Sequence, residues 1–193
     1  MALLATGVWL GPDLASFRKT ATAAPGVFSR PTVAVVGDSV TALSRQSIAT
    51  SLAQAGYQPS IEAVDGIELV EAVPFVDQLA EQKPNDWIIE LGTNDAGRDN
   101  PLWALPFLAD WRQVRSSGCV IYLSVSPRAG PIATQINASI AGLARAHGNV
   151  HILDWGSLEY GNPTWIEPDM IHPTPSGQTE LATLEAHMVR RYC

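Results

Sequence analysis

Val33-Ala34-Val35-Val36-Gly37-Asp38-Ser39 is the stretch on which the reading of this chain turns. With Thr32 it forms an apolar, largely β-branched run, the length of a strand buried on both faces and too short for a helix. Gly37 ends the run and permits a tight bend. From Thr41 to Ala55 apolar residues then recur at helical spacing, up to the stop at Gly56. A buried strand that turns through glycine into a helix opens a βαβ unit.

Outward from this unit the alternation continues. Strand-like runs occupy Ser60 to Val64, Trp87 to Leu91, Val120 to Val125 and Val150 to Leu153. Between them lie helical patterns over Leu69 to Gln82, with Pro74 a candidate kink, over Pro101 to Arg115, weakened by Pro106, and over Ile132 to His147. Thr174 to Arg191 closes the chain as a helix. Strands spaced by helices predict an α/β domain with one open, mostly parallel sheet covered on both faces, spanning residues 31–193.

Composition agrees and narrows the function. The chain has 193 residues, 46% hydrophobic and 16% charged, with a net charge of −7. That is a one-domain length, able to bury its own core, and too apolar for a disordered chain. The acidic balance, with no basic cluster, is the opposite of what a phosphate-backbone reader needs, so no nucleic-acid partner is expected. No apolar run reaches the ~20 residues of a membrane-spanning helix. Residues 1–30 read as an arm or a remnant leader: they open apolar and end in small residues, but no basic residue precedes Arg18. Cys119 and Cys193 are compatible with one disulfide or with two thiols, and they leave open both an exported or cell-envelope location and a cytoplasmic one.

In open parallel sheets, working groups gather at the carboxyl ends of the strands. Those ends carry Gly37-Asp38-Ser39, Asp65-Gly66, Gly92-Thr93-Asn94-Asp95 and, on a long loop after the last strand, Asp169-Met170-Ile171-His172-Pro173. Ser39 sits at a strand-to-helix turn, where helix-terminal N–H groups can face an oxyanion; the plainer role of Asp38 or Ser39 is a helix cap. Of the four histidines, His172 stands out, because Asp169 three residues earlier can orient its imidazole as a base for a serine. The plainer alternative makes Asp169 and Thr174 caps and His172 incidental. Asn94 can donate an amide N–H to an oxyanion or simply hold its loop. Gly66 can offer an unobstructed backbone N–H or merely turn the chain.

Taken together, Ser39, Gly66, Asn94 and His172 resemble, in this order, the four residues that name the SGNH hydrolases, which include the GDSL-type esterases and lipases. Val33 to Ser39 resembles their nucleophile block, Gly92-Thr93-Asn94-Asp95 their Gly-x-Asn-Asp block, and Asp169-x-x-His172-Pro173 their Asp-x-x-His block. Val40 departs from the leucine frequent after the serine. The resemblance spans residue 31 to the C-terminus. It implies a three-layer α/β/α flavodoxin-like fold, no metal or other cofactor, and hydrolysis of small acyl or O-acetyl esters through an acyl-enzyme. Ser39 would be the nucleophile, His172 the base and Asp169 its partner, with Ser39, Gly66 and Asn94 as the oxyanion hole. No Gly-x-Ser-x-Gly elbow surrounds Ser39, which disfavours the ordinary α/β-hydrolase arrangement.

Two rival readings differ from hydrolysis. The same acyl-enzyme could pass its acyl group to an alcohol, making an acyltransferase. A non-catalytic or metal-binding rim could instead use Asp38, Asp95, Asp169 and His172, although their spacing matches no metal motif. For the substrate pocket the candidates are Val40, Trp103, Trp165 and Ile171, with Tyr160 nearby. The Pro101–Trp111 stretch is expected either to be a buried helix or to cover the site. Oligomeric state is not encoded in any of these features.

Overall fold

The computed structural model describes residues 30–193. The expected arm over residues 1–30 therefore lies almost wholly outside the described residues. The chain runs β1 (Thr32–Gly37), α1 (Ser39–Gln54), β2 (Gln58–Ala63), α2 (Leu69–Glu81), β3 (Asp86–Glu90), α3 (Thr93–Gly97) and α4 (Ala104–Val114). It continues through β4 (Cys119–Leu123), α5 (Ala133–Ala146), β5 (Val150–Leu153), α6 (Trp155–Gly161), a short 3-10 turn at Pro163–Trp165, and α7 (Pro175–Tyr192).

The five strands are parallel, in the order β2-β1-β3-β4-β5. Alternate residues along each strand point to opposite faces, and in β1, β3 and β4 both faces are buried, which is why these three read as unbroken apolar runs, whereas the edge strand β2 is part-exposed and polar. Val33, Val35, Ile88 and Ile121 pack with Ile48 and Leu52 of α1 and Leu181 and Val189 of α7. Ala34, Val36, Trp87, Ile89 and Tyr122 pack with residues of α2, α4 and α5 on the other face. The result is a three-layer α/β/α fold.

Strand order reverses between β1 and β3, and a crevice forms at their carboxyl ends. Gly37, the last residue of β1, pairs with Ala63 on one side and Glu90 on the other. A Cβ on Gly37 would lie 2.1 Å from Thr41 Oγ1, so only glycine lets the first turn of α1 fold back this closely over the strand end.

Several local expectations are decided or corrected. The helix expected over Leu69 to Gln82 is α2, Leu69–Glu81, with Pro74 inside it. Pro106 falls in the first turn of α4, where a missing N–H leaves no bond unmade. The segment between β5 and Asp169 is not simply a long loop, because it contains α6 and the 3-10 turn. The Pro101–Trp111 stretch is a helix laid on the sheet: Trp103, Phe107 and Trp111, spaced i, i+4, i+8, face inward and Leu102, Leu105 and Leu108 face out. Cys119 and Cys193 are joined in a disulfide that fastens the chain beyond α7 to the start of β4.

Candidate active site

The strand ends and the loop before α7 bring Ser39, Gly66, Asn94 and His172 to the wall of one open hollow of about 430 Å³, together with Leu43 and Asp65. His172 Nε2 lies 2.9 Å from Ser39 Oγ across 133 residues of sequence, and His172 Nδ1 lies 2.7 Å from Asp169 Oδ2.

The Ser39 end is built from buried polar groups. Asp38 caps α1 by accepting a bond from the Val40 N–H (3.1 Å), so the capping task falls to Asp38 and leaves the Ser39 hydroxyl free to meet His172. Below it, Glu90 Oε2 accepts from the Asp38 N–H (3.2 Å), the Thr41 N–H (3.3 Å) and the Thr41 hydroxyl (3.0 Å). Asp38 and Glu90 are both sealed from water. Burial first, and then the neighbouring Asp38 charge, drive the Glu90 pKa well above its ordinary value.

The His172 end is a surface turn. Asp169 Oδ1 accepts from the N–H groups of Ile171 and His172, both at 3.0 Å, while Oδ2 faces the imidazole. Partial desolvation, the largest influence, raises the Asp169 pKa; the hydrogen bonds from the His172 N–H, the imidazole and the Ile171 N–H together outweigh it and hold the carboxyl at about 2. An isolated bridge between Ile166 and Pro173 closes the base of this turn. Thr174 then caps α7 through the Gly177 N–H (3.2 Å), so Asp169 is free of the capping role.

Between these ends lies a set of N–H donors. Among the described residues the backbone N–H groups of Ser39 and Gly66 have no protein acceptor. Gly66 has φ +72°, the left-handed region that suits glycine. Its loop is held from the α3 side: Asn94 Nδ2 donates to Ile67 O (3.0 Å), the Leu69 N–H donates to Asp95 Oδ2 (2.9 Å), and Arg98 donates to Gly66 O (3.0 Å) and to Glu68 (2.8 Å). One amide hydrogen of Asn94 is thereby used, and the other is left to serve the hollow.

Ile171 borders a second hollow that shares Asn94 and His172 with the first. The other three pocket candidates lie elsewhere. Val40 is buried under α1, on the face that packs with Ile48. Trp103 sits edge-on to Phe107 in the α4 layer, and Trp165 stacks on Trp155. Large apolar surface went to the core and not to the wall. The rim carboxylates do not form one ligand set either: Asp38 faces α1, Asp95 faces the start of α2, and Asp169 faces His172. Sequence reasoning missed Glu90 and Arg98, and it named Asp95 without its role as acceptor for the Leu69 N–H. The signal for Glu90 was present, as a carboxyl closing the apolar run Trp87-Ile88-Ile89.

No known family profile matches the chain. It is 27% identical over 154 residues to YrhL of Bacillus subtilis (strain 168), provisionally named a peptidoglycan O-acetyltransferase; the match takes in 79% of this chain and 23% of that protein, so the chain spans about a quarter of its relative. Among solved structures, the psychrotrophic esterase EstA from Pseudoalteromonas sp. superposes with a TM-score of 0.66 at 18% identity, covering 83% of this chain and 97% of that one. The C-terminal catalytic domain of peptidoglycan O-acetyltransferase A from Streptococcus pneumoniae superposes with a TM-score of 0.63 at 19% identity, covering 84% and 92%. With its parallel sheet, its three layers and Ser39, Gly66, Asn94 and His172 along one rim, the chain has the fold of the SGNH, or GDSL-type, hydrolases.

Proposed function

We propose that the chain is a serine esterase that cleaves small acyl or O-acetyl esters through an acyl-enzyme, with Ser39, His172 and Asp169 as its triad. The observation that carries this reading is the chain of contacts from Asp169 through His172 to Ser39, at 2.7 and 2.9 Å. Ser39 Oγ attacks the ester carbonyl carbon while His172 Nε2 takes the hydroxyl proton. The oxyanion accepts hydrogen bonds from the N–H groups of Ser39 and Gly66 and from the Asn94 amide. As the tetrahedral adduct collapses, the ester C–O bond breaks and the His172 proton goes to the leaving alcohol. Water then attacks the acyl-enzyme, gives its proton to His172, and releases the acid as that proton returns to Ser39. Asp169, ionised throughout the neutral range, holds the imidazole in the required tautomer.

A second reading has support of its own. Both YrhL and the Streptococcus pneumoniae domain are named as peptidoglycan O-acetyltransferases, and the same acyl-enzyme can be discharged by a sugar hydroxyl in place of water. Incubation with a 4-nitrophenyl ester of a short-chain acid and an added alcohol separates the two readings, because acyl transfer gives a new ester and hydrolysis only free acid. For either reading, Ser39→Ala is expected to lower turnover by about 10⁶-fold. Unchanged turnover in that variant would refute both.

A further inference from the structure

The two hollows that meet at Asn94 and His172 differ in charge. The first, which contains Ser39, carries the Asp65 carboxylate. The second, of about 260 Å³, has a small-residue floor that includes Gly97 and Ala129, and it is flanked by Arg98 and Arg128. Two guanidinium groups on one small hollow are notable in a chain of net charge −7.

The two arginines are held differently. Arg98 is neutralised by Glu68 at 2.8 Å and also holds Gly66 O. Arg128 makes no ion pair among the described residues, and its guanidinium lies 4.4 Å from the centre of the exposed Tyr160 ring. Glu159, the neighbouring buried carboxyl, is pushed up to about 7, chiefly by burial, with Ser126 and the Arg128 charge opposing the rise without an ion pair forming. Stacking on an aromatic face restrains a guanidinium while leaving its edge N–H groups free for an anion.

We propose that this second hollow receives the alcohol portion of the ester and that Arg128 recognises an anionic group on it, a carboxylate or a phosphate. The proposal rests on the serine-esterase reading and adds the substrate class. The acyl group stays bonded to Ser39, which borders only the first hollow, while the leaving alcohol is protonated by His172 and departs on the Ile171 side. Asp65 repels an anion from the first hollow, so the same ester is oriented by attraction at one end and repulsion at the other.

The test compares 4-acetoxybenzoate, its amide 4-acetoxybenzamide and 4-acetoxyphenyl phosphate as substrates of the full chain and of Arg128→Ala and Arg128→Glu. Arg98 is left intact because it also positions Gly66. The readout is the ratio of kcat/KM for an anionic ester to that for the amide within each protein, which cancels any general loss. That ratio should fall about fivefold in Arg128→Ala and about tenfold or more in Arg128→Glu, as expected when a solvent-accessible ion pair is first removed and then replaced by a repulsion. Added salt should lower it in the natural chain and not in Arg128→Ala. A fall for only one anion identifies carboxylate or phosphate as the preferred group.

An unchanged ratio in both variants, with the neutral ester still hydrolysed, overturns the proposal and leaves the esterase reading intact. A selective loss on the mono-4-nitrophenyl ester of succinic acid, which places the anion on the acyl side, overturns the assignment of the hollow. If no ester is cleaved at all, the esterase reading has failed. The anion site is then judged by nuclear magnetic resonance on Ser39→Ala protein, where 4-hydroxybenzoate, and not 4-hydroxybenzamide, should shift the Arg128 Nε–H signal. No shift overturns the site as well.

Discussion

The two ends of the candidate site are supported in opposite ways. Ser39 stands on a floor of buried polar groups in which the Glu90 carboxylate gathers three donors from Asp38 and Thr41. His172 stands on a surface turn whose partner, Asp169, has a side chain 52% exposed and is fixed by bonds within four residues of sequence. A buried network welds the nucleophile to the sheet, so changes there disturb fold and chemistry together. A local turn can be altered with little effect on folding, so changes there should register in chemistry alone.

The largest expected effects are at the base end. On the proposed mechanism His172→Ala lowers kcat by about 10⁶-fold and Asp169→Asn by about 10⁴-fold. Both should shift Tm by no more than about 2 °C, since neither residue belongs to the core. Steady-state kinetics beside thermal melts measure this, and a large loss of stability in either variant would break the contrast. Because the Asp169 carboxyl is held at about 2, its contribution to stability is present above the unfolded value of 3.8 and is lost only as the pH falls through about 2.

The turn itself leads into α7, whose far end is tied to β4 by the Cys119–Cys193 disulfide across 74 residues of sequence. Cys119→Ser/Cys193→Ser is expected to lower unfolding free energy by about 4 kcal/mol through the loop it reopens in the unfolded chain. Urea unfolding of the natural and double-variant chains gives the comparison, and equal midpoints would contradict it. At the Ser39 end, Glu90→Ala removes the acceptor of the Thr41 N–H and hydroxyl, while the Asp38 N–H keeps the Glu90 carbonyl, and should destabilise by about 2 kcal/mol. It should also lower kcat, which His172-type substitutions do without the stability loss.

The last effect is a pH slope. Burial pushes Glu185 of α7 up to about 8 from 4.5, and neither of its carboxyl oxygens has a protein partner among the described residues. The folded state then holds a proton that the unfolded state releases. This contribution is full below about pH 4.5 and is lost as the pH rises to about 8, at up to ~1.4 kcal/mol per unit. Glu185→Gln should flatten the slope of unfolding free energy between pH 5 and 8. A slope that is unchanged or steeper would mean the carboxyl ionises freely in the fold.

The sequence made the architecture legible because β1, β3 and β4, buried on both faces, have no polar alternation to hide them, and glycine closes or follows β1 and β3. Val33 to Ser39 carries strand, bend and helix start in seven consecutive residues. Ser39, Gly66 and Asn94 were legible for the same reason, since they follow strands, and His172 was legible from Asp169 and Pro173 beside it; Leu43, which also lines the first hollow, was not. What lay hidden depends on spacing across the fold. The Arg98–Gly66 bond spans 32 residues and the Asp38–Glu90 contact 52, so no local pattern announces either. Trp103 and Trp165 misled because an aromatic in a connecting segment looks available for a ligand, whereas burying its large apolar area in the core or against Trp155 is the stronger driving force. The disulfide was one of two arrangements that the cysteine count allowed, and only the position of the end of α7 beside β4 chooses between them.

The central claim is that Ser39 is the nucleophile and His172 its base. Mass spectrometry of the intact chain after exposure to a phosphonate ester tests it most directly. The account predicts one covalent adduct, mapped by peptide analysis to Ser39, formed in the natural chain and in Arg128→Ala but strongly slowed in His172→Ala. Adducts on another residue, or equal labelling with and without His172, would contradict it.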